Sequence, residues 1–138
     1  MEIIIDNHTT LDEIQKAFND HFSCLKLEFF VFESGAETLY SKKNMVTDRN
    51  RKVAELSHFS VPVSIRIHAK QKVSTLEKQF KREAGLEVQV FRKSGSSWIE
   101  TGATDDWTLS YQNKTGMDSK LSKGNSAPPE IEFYHEQS

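Results

Sequence analysis

Apolar positions along this chain follow two different periods, and the same succession of periods occurs twice. Ile3, Ile4 and Ile5 form a short apolar run, Leu11, Ile14, Phe18 and Phe22 step by three and four residues, and Leu25, Leu27 and Phe29 alternate. The order returns with Ile65 and Ile67, then Val73, Leu76, Phe80 and Ala84, then Leu86, Val88 and Val90. Steps of three and four gather side chains on one face of an α-helix, whereas alternation gathers them on one face of a strand. The pattern therefore predicts strand, helix, strand, twice over. Ile3 to Ile65, Leu11 to Val73 and Phe18 to Phe80 share one offset of 62 residues, and Leu25 to Leu86 and Leu27 to Val88 share one of 61. The lost residue falls where Gly85 replaces the longer Ser23-Cys24 connection. Both copies end in Ser-Gly, at Ser34-Gly35 and Ser94-Gly95.

Boundary residues support these elements. Thr10 with Glu13, and Ser74 with Glu77, have the spacing of a capping box, in which hydroxyl and carboxylate satisfy free backbone N–H groups. Gly85 suits the left-handed residue that closes the second helix. The run Phe29-Phe30-Val31-Phe32 is apolar on both faces, which predicts a central strand covered on both sides or one with a sticky outer face. Val61 to Ile67 alternates as a strand. Ser94-Gly95-Ser96 reads as a hairpin turn leading into a strand from Trp98 to Thr101. Thr104 is placed to cap a short helical segment with Asp105 and Asp106 in its first turn, and Gly116 to end it. Between the copies, residues 41–56 carry Lys42, Lys43, Arg49, Arg51 and Lys52, with Val53 and Leu56 marking a short helix after Thr47 and Asp48.

Two strand-helix-strand units in 138 residues predict an α+β domain: a two-layer sandwich of two β-α-β repeats, ferredoxin-like or similar, with an extra β-hairpin strand. Side-by-side β-grasp-like units are the alternative packing. Residues 1–116 form the expected domain, with repeat one at 1–35, the basic connecting segment at 36–59 and repeat two at 60–116. Residues 117–138, polar and carrying Gly124 and Pro128-Pro129, are expected to be a largely disordered tail, with Ile131 to Tyr134 able to add a strand in some context. Composition agrees with one domain, at 36% hydrophobic and 28% charged residues with a net charge of -2, which excludes a globally basic nucleic-acid binder. Cys24, the single cysteine, allows no internal disulfide. No apolar run is long enough for a membrane span, and the start Met-Glu-Ile-Ile-Ile-Asp lacks a basic and long apolar leader, so a cytoplasmic protein is expected.

The segment from Ser74 to Phe80, the string Val-Gln-Val-Phe-Arg-Lys-Ser-Gly from Val88, Trp98-Ile-Glu-Thr and Thr104-Asp-Asp-Trp-Thr-Leu together resemble a set of uncharacterised bacterial proteins of Bacteroidetes type. The resemblance covers about residues 60–113. It implies a small cytoplasmic α+β domain of unknown function, with no catalytic residue or cofactor to carry over.

Candidate chemistry is sparse. His8, His21, His58, His68 and His135 lie on different elements without metal-ligand spacing; His68 is the repeat counterpart of Asp6, which offers a weak metal hypothesis only. Cys24 sits among apolar neighbours that keep a thiol protonated. No nucleophile elbow, phosphate loop or dinucleotide fingerprint occurs, so no cofactor is expected. Adjacent Asp105 and Asp106 beside Trp107 are the most enzyme-like pair, yet side chains at neighbouring positions diverge and helix capping accounts for them. Trp98, Trp107 and Tyr111 are expected to form an aromatic cluster. The leading expectation is a non-enzymatic module that binds a protein partner or a second copy through Phe30, Phe32, Trp98, Trp107 and Tyr111. The alternative is weak single-stranded nucleic-acid binding through Lys42, Lys43, Arg49, Arg51 and Lys52.

Overall fold

The computed structural model describes residues 1–32, 40–57 and 62–121. Five strands, β1 (Glu2–Ile5), β2 (Leu25–Phe30), β3 (Val63–Arg66), β4 (Glu87–Ser94) and β5 (Ser97–Glu100), combine with helices α1 (Leu11–His21), α2 (Val53–Leu56), α3 (Val73–Ala84) and α4 (Leu109–Leu121). The chain is an α+β fold containing both expected β-α-β repeats. Leu11, Ile14 and Phe18 of α1 and Val73, Leu76 and Phe80 of α3 are fully buried, and they pack with Ile3, Ile5, Ile65 and Ile67 against Leu25, Leu27, Val88 and Val90. Among the described residues no helix is long and apolar enough to cross a membrane.

Strands pair between the repeats. β1 runs antiparallel to β3 with Ile3 facing its counterpart Ile65, and β2 runs antiparallel to β4 with Glu28 facing its counterpart Gln89. A residue that faces its own counterpart marks a two-fold relation, because exchanging the copies leaves the pair unchanged. This pairing produces two sheets, β1-β3 and β2-β4-β5, in place of the single sheet of a ferredoxin-like sandwich. β4 is the central strand of the larger one.

The two-fold relation continues past the strands. Leu11 N donates to Arg51 O as Val73 N does to Trp107 O, Asp12 N to Arg49 O as Ser74 N to Asp105 O, and Val53 N to Thr9 O as Leu109 N to Gln71 O. Thr10 bridges Lys52 as Lys72 bridges Thr108, and Met45 lies against Phe30 as Glu100 lies against Phe91. The basic stretch between the repeats is thus the counterpart of β5 and the start of α4.

Side chains of α1 and the main chain at Val46 close the free edge of β2. Asn19 Nδ2 donates to Leu25 O, Gln15 Nε2 to Leu27 O, and Val46 N to Phe29 O. Four helical residues rise about 6 Å and two strand residues about 6.8 Å, so an i, i+4 pair matches alternate strand carbonyls. Buried backbone acceptors would otherwise be left without donors.

Local signals were met at some ends and overridden at others. Thr10 and Glu13 form the expected capping box, and Gly85 takes the left-handed conformation at φ 66°. Gly95 has φ 62° in the β4–β5 turn. The second capping box does not form: α3 begins after Lys72, whose bridge to Thr108 fixes the start, and Glu77 Oε2 accepts from Val90 N at 3.0 Å. Asp105 and Asp106 precede α4 instead of occupying its first turn. Gly116 does not end that helix. It lies within it, where a Cβ would stand 2.8 Å from Cys24 Cβ and 3.2 Å from Arg92 Cγ, so glycine is kept there by close approach. Residues 117–121, expected in the tail, are helical; residues 122–138, Ser34-Gly35 and Val61 lie outside the described residues.

Alanine normally stabilises a helix interior over glycine by about 1 kcal/mol. Gly116→Ala is expected to reverse that sign and lower stability by about 1–3 kcal/mol through overpacking against Cys24, measured by urea unfolding. A neutral or stabilising result would refute the close-approach account.

Candidate functional site

At the carboxyl end of β2 and the amino end of β4 the surface opens into a groove of about 300 Å³. Phe29, Phe30, Val31 and Phe32 form one side, Leu56 stands at the end of α2, and Gly85, Leu86 and Glu87 form the other side. The Gly85 cap turns the chain from α3 into β4, with its N–H donating to Lys81 O and Phe80 O. Val31 is 45% exposed while Leu86 is only 3% exposed, so the groove has a fixed apolar floor and an accessible rim. Among the described lining residues the one carboxylate, on Glu87, accepts from the Tyr40 hydroxyl at 2.8 Å and pairs with Lys81 at 3.2 Å. Burial, followed by that bond to Glu87, holds the Tyr40 phenol well above its usual pKa.

Next to the groove, the outer face of β2 and β4 is covered by an aromatic cluster. Phe30 and Phe91 are buried, with Phe32, Tyr40, Met45 and Trp98 packed around them. The Tyr40 ring makes edge contacts with both Phe30 and Phe32 at centroid distances of 5.3 Å. Lys26 Nζ lies 5.0 Å and Lys93 Nζ 4.9 Å from the Trp98 ring centre, within cation–π range. Beside them Glu28, only 3% exposed, pairs with Lys26 at 2.9 Å and Arg49 at 3.3 Å.

The residues expected to bind a partner are divided by this arrangement. Phe30 and Phe32 come together in the groove, although Phe30 is 3% exposed and serves mainly as packing. Trp98 is half-buried on the outer face opposite Lys93. Trp107 lies on the other side of the sheet, 5.8 Å from the Arg92 guanidinium and 4.8 Å from the exposed Tyr111. The expected cluster of Trp98, Trp107 and Tyr111 is therefore split, since Arg92 and Lys93 are adjacent in β4 and point to opposite faces. Sequence reasoning missed Leu56, Gly85, Leu86 and Glu87 as groove residues; the doubly apolar run at Phe29–Phe32 was the one usable signal.

The basic segment is partly spent on carboxylates. Arg49 pairs with Glu28 and Arg51 with Glu55 at 3.2 Å, while Lys42 and Lys43 sit on an exposed 3-10 turn and Lys52 precedes α2. The Lys52 N–H, then Arg51, hold the Glu55 carboxyl below its usual pKa. Asp6 and His68 play one structural role: Asp6 N donates to Thr9 Oγ1 and His68 N to Gln71 Oε1, closing corresponding turns. Among the described residues no three His, Cys, Asp or Glu side chains gather as metal ligands, and Cys24 is buried.

The Glu77 carboxyl has a strongly raised pKa, to about 8. Burial is the main cause; the charges of Asp105 and Glu100 add to it, and the Val90 N–H opposes it. Because the folded pKa exceeds the usual 4.5, the native state holds the proton more tightly and loses stability as pH rises from about 4.5 to about 8. Glu77→Gln keeps an acceptor for Val90 and removes the charge. It is expected to flatten this part of the stability profile and to be more stable than the parent near pH 8 by roughly 1–3 kcal/mol; urea unfolding across this pH range measures the difference, and parallel profiles would refute the assignment.

Comparison with family models, curated proteins and solved structures finds no match, so the groove and its surroundings carry the functional argument.

Proposed function

We propose that this chain is a non-enzymatic protein-interaction module whose contact surface is the groove at the end of β2 and β4. One observation carries the reading: a groove of about 300 Å³ that brings Phe29, Phe30, Val31, Phe32, Leu56 and Leu86 together and in which, among the described residues, the carboxylate of Glu87 is already engaged by Tyr40 and Lys81. Such a surface offers burial of apolar side chains and little acid-base chemistry. Phe30 and Phe32 contribute to it as expected from the sequence, while Val31 supplies the accessible contact. Trp98 belongs to the adjoining outer face, in the cluster around Phe30 and Phe91.

A photo-cross-linking residue at Val31 of the full chain tests this in the cells that make the protein, with Ile4 as control. Ile4 is also apolar and 64% exposed, but it lies on the β1-β3 sheet. A discrete protein adduct at position 31, at least about fivefold stronger than at position 4 and reduced by Phe32→Asp, is the expected result. Equal adducts at both positions, or none at position 31, would overturn the reading.

A further inference from the structure

The two-fold relation assigns each groove residue a counterpart in the other half of the molecule. Gly85, Leu86 and Glu87 correspond to Cys24, Leu25 and Lys26, and Val31 and Phe32 to Arg92 and Lys93, by extension of the β2-β4 register. Leu56 corresponds to Gln112 through the paired bonds of Val53 and Leu109. There the surface is covered. α4 runs on past Gln112 to Leu121 and lies across it. Gly116 abuts Cys24 and Arg92, Asn113 Oδ1 accepts from Cys24 N at 2.8 Å, and Gln112 Oε1 accepts from Arg92 at 2.8 Å. Ser119 Oγ accepts from Gly95 N at 3.0 Å and lies 3.3 Å from Lys93 O. In the first repeat, α2 stops at Leu56 and Ser57 Oγ turns back to Ala84 O. Among the described residues, the groove is the place where the first repeat has no counterpart to the last turns of α4.

Resting on the interaction-module reading, we infer that the groove receives an amphipathic helix from a protein partner, seated on β2 and β4 as the end of α4 is seated on β4 and β2. The interface continues one that the protein already builds within its own chain. Its chemistry defines the occupant. Where α4 meets Arg92 and Lys93 with the polar groups of Gln112 and Ser119, the partner meets Val31, Phe32 and Leu56, so its inward face is apolar at i, i+3 or i+4 spacing. Where α4 needs Gly116 to clear Cys24, the partner faces Gly85, which has no side chain, and can carry a larger residue. Glu87 is matched by Tyr40 and Lys81, so the occupant needs no buried cation.

The test uses the full chain, labelled with nitrogen-15, and two synthetic peptides of about three helical turns' length. One is an amphipathic helix with Leu on one face and Glu, Lys and Ala elsewhere; the other alternates Val and Lys to favour an extended strand. The helical peptide is expected to move the amide signals of Val31, Phe32, Leu56 and Leu86, with a dissociation constant in roughly the micromolar to millimolar range. Val31→Lys, at an exposed position, is expected to weaken it by about tenfold or more while the rest of the spectrum stays unchanged. Binding of the extended peptide alone would overturn the helix assignment and leave the interaction-module reading standing. Binding of neither peptide, with the position-31 adduct retained, would do the same. Displacement of signals from residues 131–134 by the helical peptide would also overturn it, by showing the chain's own C-terminal segment to be the occupant.

Discussion

The antiparallel pairing of β2 with β4 is the constraint on which the rest of the molecule depends. It places Glu28 opposite Gln89 and so brings two sequence repeats into a two-fold arrangement. The same relation then sets β1 against β3 at Ile3 and Ile65, and it presents the apolar faces of α1 and α3 to one shared core. Neither β-α-β unit has enough apolar surface to enclose a core by itself; together they bury both helices completely along their inward faces. The chain behaves as an isologous dimer whose halves are joined covalently.

Such a pairing leaves two backbone edges to satisfy, and the repeats solve the problem differently. Along β2, helix amides from Gln15 and Asn19 and the short segment at Met45 and Val46 supply donors. Along β4, the β5 hairpin takes most of the edge, leaving Val90 to the Glu77 carboxyl and the Thr101 hydroxyl. Replacing a neutral amide at position 15 by a carboxyl at its counterpart, Glu77, keeps an edge contact while changing its chemistry from donor to acceptor. Burial near Asp105 and Glu100 then raises the pKa of that carboxyl. The perturbed pKa here follows from the burial of a carboxyl drawn to the β4 edge, against the lowering effect of its bond from Val90 N.

Divergence between the halves also shapes the groove on which the proposed function rests. α4 extends over Cys24 and Arg92, with Gly116 permitting the approach, whereas α2 is only four residues long. Among the described residues, Val31, Phe32, Leu56 and Leu86 thus line a groove where the other half has a helix. An exposed apolar surface of this kind is a cost in isolation and an asset when a partner covers it.

The sequence by itself determined the elements whose signals are local. Periodic apolar spacing placed α1, α3 and the strands, Thr10 with Glu13 marked one helix start, Gly85 and Gly95 marked two turns, and the constant offset revealed the duplication. The tertiary structure decided what depends on backbone pairing and close approach. Arg51-Lys52-Val53 and Trp107-Thr108-Leu109 occupy corresponding places, yet they share little side-chain character, because main-chain hydrogen bonds hold them and nearly any residue can make those bonds. Glu77 had the spacing of a cap and was drawn to Val90, and Gly116 looked like a helix end but serves as a contact with Cys24. The groove was legible only as a doubly apolar strand end at Phe29–Phe32. Its other side comes from Gly85 to Glu87, far away in sequence, and its end from Leu56 of α2, a meeting that no local pattern of hydrophobic positions encodes.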